Sequence, residues 1–163
     1  MRGTRGLSNR STGFTLIEML VVLSIMAVLG TAARPLLELS VQRSREAQLR
    51  AALRELRGGL DAYKRAADAG EIQRGADDSG YPRELRLLVE GVADAKSPSG
   101  RRIYFLRRLP RDPFADPALP AADTWGLRAA DSPPDEPRAG RDVFDIHSLS
   151  GRRALDGSLY KDW

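Results

Sequence analysis

The chain has 163 residues, of which 42% are hydrophobic and 29% are charged, a length that suits one modest globular domain. It has no cysteine and one histidine, which excludes disulfides, thiol nucleophiles and any metal site built on several histidines of one chain. The net charge is +4, but the first thirteen residues hold three arginines and no acid, so the remainder carries only +1. We therefore expect no nucleic-acid partner, because such binding needs clustered positive charge.

The N-terminal region predicts a membrane span. The twenty residues from Phe14 to Ala33 contain Glu18 as their only charge, and a helix of that length reaches about 30 Å, one hydrocarbon core. The preceding arginines favour an N-terminus in the cytoplasm with the rest of the chain exported. A secretory signal peptide is the alternative, although its apolar region is usually about 7–15 residues long and carries no acid. We expect a basic leader at 1–13 and a transmembrane segment at 14–35.

Glu18 is unusual because a carboxylate inside a membrane span costs energy and is usually paired or functional. If the chain were cut after Gly13, the new α-amine of Phe14 would place a second charge in the same region. Glu18 of one chain could then meet the Phe14 amine of a neighbouring chain, and each ion would compensate the other. The alternative is a glutamate near a helix end that simply reaches the water among the headgroups.

The helix is predicted to continue beyond the membrane segment to Ala67. Pro35 removes a backbone donor and Gly30 weakens the same turn, so we expect a kink there and not an end. Glu46 and Arg50 have the spacing of an exposed i,i+4 ion pair. Apolar residues at helical spacing predict the face that packs on the rest of the chain; they are Leu49, Leu53, Leu56, Leu60 and Tyr63.

The remaining sequence predicts short elements joined by long loops. Together with the N-terminal helix they indicate an α+β fold, in which a long helix packs on a small domain with a short helix and a few antiparallel strands. The domain is expected at 36–163. Its predicted elements are a helix at Arg83–Val89, a strand at Ile103–Leu106, an irregular stretch over Pro110–Gly140 anchored by Trp125, and a strand at Val143–Ser148.

The segment from Gly13 to Glu18, G-F-T-L-I-E, followed by unbroken apolar sequence, resembles the class III signal of type IV pilins and type II secretion pseudopilins. In that family a prepilin peptidase cuts after the glycine and N-methylates the new first residue, here Phe14. Further along, Tyr81-Pro82, Leu109–Pro113 and Phe144–Ser148 occur in the order found in the major pseudopilin, the G subunit. The resemblance covers most of the chain.

The resemblance implies a structural subunit that polymerises into a periplasmic pseudopilus driving type II protein secretion. The implied location is the bacterial inner membrane, in a single pass with the N-terminus cytoplasmic and the C-terminal domain periplasmic. The implied partners are further copies of the chain, the prepilin peptidase, other pseudopilins and the inner-membrane secretion machinery. One alternative is a type IV pilin for twitching or DNA uptake, although major Gram-negative pilins usually carry a C-terminal disulfide loop. A membrane-anchored periplasmic enzyme is the other, but the sequence offers no catalytic centre, and we expect no enzyme.

The G subunit typically binds calcium in its C-terminal loop, through aspartates soon after the serine, and calcium takes about six to eight oxygen ligands. Here Gly151–Arg153 stand where an acidic residue is expected. The remaining candidate ligands are Ser148, Asp156 and Asp162. The alternative is a turn closed by hydrogen bonds and an Arg–Asp pair. His147 stands where the family shows tyrosine, and we expect a packed or surface aromatic substitute instead of a ligand.

Overall fold

The structure, a computed structural model, describes residues 13–163, except for the side chains at positions 31–36. The leader predicted at 1–13 therefore lies outside the described residues apart from Gly13. The elements in chain order are the helices α1 (Leu16–Asp68) and α2 (Leu87–Glu90), the strands β1 (Val92–Ala93), β2 (Arg102–Ile103), β3 (Trp125–Arg128) and β4 (Asp145–Ser148), and 3-10 turns at Ala121–Thr124 and Tyr160–Asp162. This combination confirms the predicted α+β class.

Helix α1 ends one residue beyond the predicted end, in a motif that glycine makes possible. Gly70 adopts φ 73°, a left-handed conformation that costs glycine little. Its N–H donates to the Ala67 carbonyl at 3.0 Å, and Glu71 donates to the Ala66 carbonyl at 2.9 Å. These two bonds satisfy carbonyls that the last turn would otherwise leave free.

The chain divides into two units, of which the first ends at Val41 and the second runs from Gln42 to Trp163. In the first unit, the apolar side chains of the described segment lie exposed, with Leu16 at 85% and Phe14 at 70%. Among the residues that the structure describes, no helix is long and apolar enough to cross a membrane. The membrane segment predicted at 14–35 includes positions outside the described side chains, among them Pro35. The helix assignment is continuous there, and the kink at Gly30 and Pro35 stays a prediction.

The second unit is built on the predicted apolar stripe of α1, and the burial of that stripe is confirmed. Leu49 and Leu56 have no exposed surface, and Leu60 is 1% exposed. Burying one such side chain contributes about 1.5–3 kcal/mol, so the stripe supplies much of the stability of this unit. The residues that complete the core come from every later part of the chain; they are Ile72, Leu85, Leu88, Trp125, Val143, Ile146, Ala154 and Tyr160.

Four short strands form two separate antiparallel pairs. In one pair β1 lies beside β2, with Val92 opposite Ile103. In the other, β3 lies beside β4, with Trp125 opposite Ser148 and Gly126 opposite His147. The strand predicted near the C-terminus is therefore present, although it begins only at Asp145.

Two predicted elements are shorter than the sequence indicated. The helix predicted at Arg83–Val89 begins only at Leu87, because the preceding residues form tight turns in which Leu87 and Leu88 donate to carbonyls three residues earlier. The strand predicted at Ile103–Leu106 is wrong beyond Ile103. Phe105 and Leu106 both donate to the Leu88 carbonyl, at 3.0 and 2.9 Å, so their backbone caps α2 and joins no sheet.

The stretch predicted as irregular over Pro110–Gly140 contains β3, which the sequence analysis missed. The apolar alternation in β3 consists of Trp125 and Leu127 alone, which is too short a pattern to predict a strand, and the pairing comes from β4, about twenty residues away. The predicted anchor is confirmed, since Trp125 is 3% exposed. Its indole N–H donates to the Pro110 carbonyl at 2.9 Å.

The expectation of an exposed Glu46–Arg50 pair is wrong for Glu46, which is only 4% exposed. Its Oε1 accepts hydrogen bonds from the Leu155 N–H at 2.9 Å, the Tyr160 hydroxyl at 3.0 Å and the Gln42 amide at 3.2 Å. Burial and this hydrogen bond to Glu46 raise the pKa of Tyr160. The carboxylate therefore ties α1 to the C-terminal segment, which the i,i+4 spacing alone does not reveal.

We expect Glu46→Ala to lower the free energy of unfolding by about 2–3 kcal/mol, because the Leu155 N–H and the Tyr160 hydroxyl both lose an acceptor. Urea denaturation of the detergent-solubilised chain, followed by tryptophan fluorescence, measures this change. Glu55→Ala is the matched control, since Glu55 is an exposed glutamate of the same helix. Equal stability of the two variants would contradict a structural role for the Glu46 carboxylate.

Candidate functional site

The predicted processing site lies immediately before α1. Gly13 and Phe14 precede the first helical residue and belong to no regular element, and Phe14 is 70% exposed. A Cβ added at Gly13 would meet nothing within 4 Å. No described neighbour therefore requires glycine at this position, so a requirement for a small residue would have to come from whatever binds the segment. A peptide bond with this exposure is open to a peptidase.

Glu18 lies in the first turn of α1, and Thr15 holds its backbone. The Glu18 N–H donates to Thr15 Oγ1 at 3.3 Å, and the Met19 N–H donates to the Thr15 carbonyl at 3.2 Å. Thr15 is thus the N-cap residue, which sequence reasoning missed. The T-x-x-E spacing of a capping box was the signal that could have found it.

The Glu18 carboxylate is exposed at the helix N-terminus, where the helix dipole favours negative charge. The cut predicted after Gly13 would release a protonated amine on Phe14, four residues before Glu18. The site would then present one positive and one negative group at the start of an apolar segment. Such groups are available to oppositely charged partners on another chain. The assembly role of Glu18 stays a prediction at this stage.

The three predicted calcium ligands have different environments. Ser148 is fully buried, and its hydroxyl donates to Asp112 at 2.5 Å while accepting from the Ser150 N–H at 3.1 Å. Asp156 accepts from the N–H and the hydroxyl of Ser158, at 3.0 and 2.6 Å. Asp162 lies exposed in the last 3-10 turn. Ser148 and Asp156 thus share no hydrogen-bond partner in these contacts.

Asp112, within the segment Leu109–Pro113, is a buried residue whose role the sequence pattern does not predict. It is 2% exposed and accepts hydrogen bonds from the Ser148 hydroxyl and from the Phe114 N–H at 2.7 Å. Its own N–H donates to Thr124 Oγ1 at 3.2 Å. Asp112 therefore joins its loop to β4 and to the 3-10 turn before β3. A carboxylate between two prolines, Pro110 and Pro113, inside a long loop was the available signal.

As arranged, these residues do not suit a calcium ion, which needs several carboxylate oxygens free to converge on it. The Ser148 hydroxyl is bound to Asp112, and hydrogen bonds from Ser158 lower the pKa of Asp156, with the charge of Arg50 as a smaller contribution. Arg153 donates to the Gly157 carbonyl at 2.9 Å, in the turn where main-chain oxygens could serve a metal. Within residues 13–163, with the gap at 31–36, no group of three or more acidic or histidine side chains is placed to hold a metal.

His147 packs against the partner strand as the expected aromatic substitute. It lies opposite Gly126, and a Cβ at position 126 would collide with the imidazole. Glycine is therefore required at position 126 because the His147 imidazole occupies the space of a side chain, and not because of the backbone conformation. Burial lowers the pKa of His147, with Asp145 opposing the shift and Arg57 adding to it.

Because its folded-state pKa is depressed, His147 contributes stability that is present above about pH 6.5, its unfolded pKa, and lost as the pH falls below that value. We expect urea unfolding midpoints to decrease between about pH 7.5 and 5.5. His147→Tyr should remove this decrease, since the chain has no other histidine. An unchanged pH dependence in the variant would assign the effect to other groups.

Comparisons with known proteins bear on this site and on the whole chain. The family model described as the prokaryotic N-terminal methylation motif matches residues 8–33.

Proteins named type II secretion system core protein G are similar over longer stretches. That of Klebsiella pneumoniae is 31% identical over 109 residues, covering 64% of this chain and 70% of the relative. That of Aeromonas hydrophila is 30% identical over 112 residues, covering 66% and 71%. That of Vibrio cholerae is 27% identical over 110 residues, covering 66% and 68%. No solved structure matches the chain at a significant level.

Proposed function

Because the chain belongs to the type II secretion system core protein G family, it is a pseudopilin of type II secretion, and we propose that it polymerises into a periplasmic pseudopilus that drives protein export. The observation that carries the proposal is the apolar start of α1, exposed on all sides, with Glu18 as its only charge. A helix that is apolar all round needs an apolar environment, either lipid or other copies of the same helix. A filament subunit stored in a membrane uses both in turn. This role is structural and needs no catalytic centre in the chain.

We propose that the chain is stored in the inner membrane before assembly. Segment 14–35 would cross the bilayer, with the leader in the cytoplasm and residues 36–163 in the periplasm. The three arginines before Phe14 support this orientation, since basic residues stay on the cytoplasmic side. The prepilin peptidase would act on the exposed Gly13–Phe14 bond. Other pseudopilins and the inner-membrane secretion machinery are the further partners that this role implies.

Glu18 would select the position of each incoming subunit. The amine of Phe14 and the carboxylate of Glu18 each cost energy in lipid and become tolerable together. The Glu18 side chain lies exposed in the first turn of α1, so its carboxylate is open to a partner on another chain. Pairing with the amine of an adjacent subunit fixes one axial offset between neighbours. The other reading, a carboxylate that reaches the headgroup water, would give Glu18 no part in assembly.

A type IV pilin is the second candidate, and no observation favours it over the pseudopilin. The Klebsiella pneumoniae and Aeromonas hydrophila relatives, of which the chain covers 70% and 71%, are both named type II secretion system core protein G. The chain has no cysteine for a C-terminal disulfide loop.

Coexpression with a prepilin peptidase should yield a protein whose intact mass corresponds to residues 14–163 with one added methyl group. Gly13→Leu should leave the full chain uncut, because a bulky residue would not enter a peptidase site that accepts glycine. Gly30→Leu is the matched control and should be processed normally. Retention of Met1 in the wild type, or a start beyond Ala33, would contradict the proposed processing.

Glu18→Gln and Glu18→Leu should both reduce fibre yield by more than about tenfold, because the incoming amine would stay buried without a counter-charge. Neither change should impair insertion or cleavage, since both make the segment more apolar. The yield of sheared fibres is measured beside precursor processing in cells that overexpress the assembly machinery. Glu38→Gln, at an exposed glutamate of the same helix, is the control. Normal fibres from both Glu18 variants would refute the charge-pair mechanism.

A further inference from the structure

Arg50 connects three parts of the second unit at the place where the family resemblance implied calcium. Its Nη2 lies 3.5 Å from Asp156 Oδ2 and 3.9 Å from Glu46 Oε2. Its guanidinium carbon lies 4.0 Å from the centroid of the Trp163 ring. One cationic group thus contacts a carboxylate on α1, a carboxylate on the C-terminal turn and the indole at residue 163.

We propose that Arg50 is an internal cation that closes the C-terminal segment, residues 148–163, in place of a bound divalent metal, so that this segment folds without calcium. Two carboxylates that approach one another need a positive charge between them. A guanidinium supplies that charge permanently, because it does not deprotonate in proteins. Unlike a calcium ion, it requires no shell of six to eight oxygens.

Existing contacts, one of them made by Arg50, occupy the oxygens that a metal would use. The Ser148 hydroxyl is bound to Asp112, and Arg153 holds the Gly157 carbonyl. Asp156 is bound on one oxygen by Ser158 and on the other by Arg50. A calcium ion would have to displace these contacts and to lie beside a fixed positive charge.

Arg57, two turns further along α1, extends the same arrangement to β4. Its Nε donates to Asp145 at 2.8 Å, and its Nη2 donates to the carbonyls of Ile146 at 3.1 Å and Trp163 at 2.7 Å. Arg50 and Arg57 therefore attach the C-terminal segment to one face of α1 at two points.

A single exposed ion pair stabilises a protein little, which is the main objection to this role. Arg50 differs from such a pair because the ordering of one side chain serves three contacts. One of those contacts is to Glu46, which is almost fully buried. Solvent and salt therefore screen the attraction between Arg50 and Glu46 less than they screen a pair at the surface. The flat guanidinium also packs on the Trp163 ring.

The test compares thermal unfolding of the full chain in detergent, in EDTA and in millimolar calcium chloride. Intrinsic fluorescence reports on the second unit alone, since Trp125 and Trp163 both belong to it. The wild-type Tm should be the same in both solutions. A rise of several degrees with calcium would overturn the proposal, because it would show preferential binding to the folded chain.

Variants separate the charge of Arg50 from its bulk. Arg50→Gln should lower the Tm by roughly 3–6 °C in both solutions, and Arg50→Lys should restore part of the loss. Arg54→Gln, at an exposed arginine one turn away, is the control and should change the Tm by less than about 1 °C. An unchanged Tm for Arg50→Gln would overturn the proposal.

A double-mutant cycle tests the proposed pairing with the C-terminal turn. The loss of Tm in Arg50→Gln/Asp156→Asn should be smaller than the sum of the two single losses, because either change alone breaks the same contact. Additive losses would overturn the contact.

Terbium(III), which takes calcium sites and emits when a nearby indole is excited, should give no saturable emission with the wild type. Saturable emission that calcium competes away would place a metal site beside a tryptophan and overturn the metal-free closure.

Discussion

The attachment of the C-terminal segment to the long helix depends on one buried carboxylate, that of Glu46. Its oxygen accepts hydrogen bonds from the Leu155 N–H and the Tyr160 hydroxyl. Tyr160 in turn stacks on Phe114 at 4.1 Å and meets Trp163 edge-on at 5.2 Å. A polar contact on α1 therefore positions three aromatic rings that come from two distant parts of the sequence.

The small sheets explain why this attachment to the helix matters. β1 and β2 have two residues each, and β3 and β4 have four. Isolated two-stranded pairs of this length are at best marginal in water. Each pair is joined to the core that the α1 stripe helps to form, since Ile146 of β4 belongs to that core and Val92 of β1 packs against it. The later, mostly irregular part of the chain is thus held together by packing on α1, and the short sheets contribute less to the fold.

The sequence predicted best what depends on local pattern or on regular period. The end of α1, its buried stripe and the segment from Gly13 to Glu18 all follow from residues close together in the chain. It predicted least well what depends on distant partners. The burial of Glu46 needs Leu155 and Tyr160, more than 100 residues away, and β3 exists because β4 pairs with it. The bond between Asp112 and Ser148 spans 36 residues and leaves no periodic signal.

The proposed processing also rearranges charge, which links the N-terminal site to the composition of the chain. The precursor carries three arginines before Phe14, and Glu18 is the only charge in the apolar segment 14–33. Cleavage after Gly13 would remove those arginines and create one amine, so that the apolar segment would hold one charge of each sign. In lipid, the helix of the precursor must keep Glu18 near the headgroups or neutralise it. The helix of the processed chain could instead form an ion pair between its Glu18 and the Phe14 amine of a neighbouring chain. Removal of the leader would therefore change the preferred environment of the helix from lipid toward other copies of itself, and cleavage would act as the step that permits assembly.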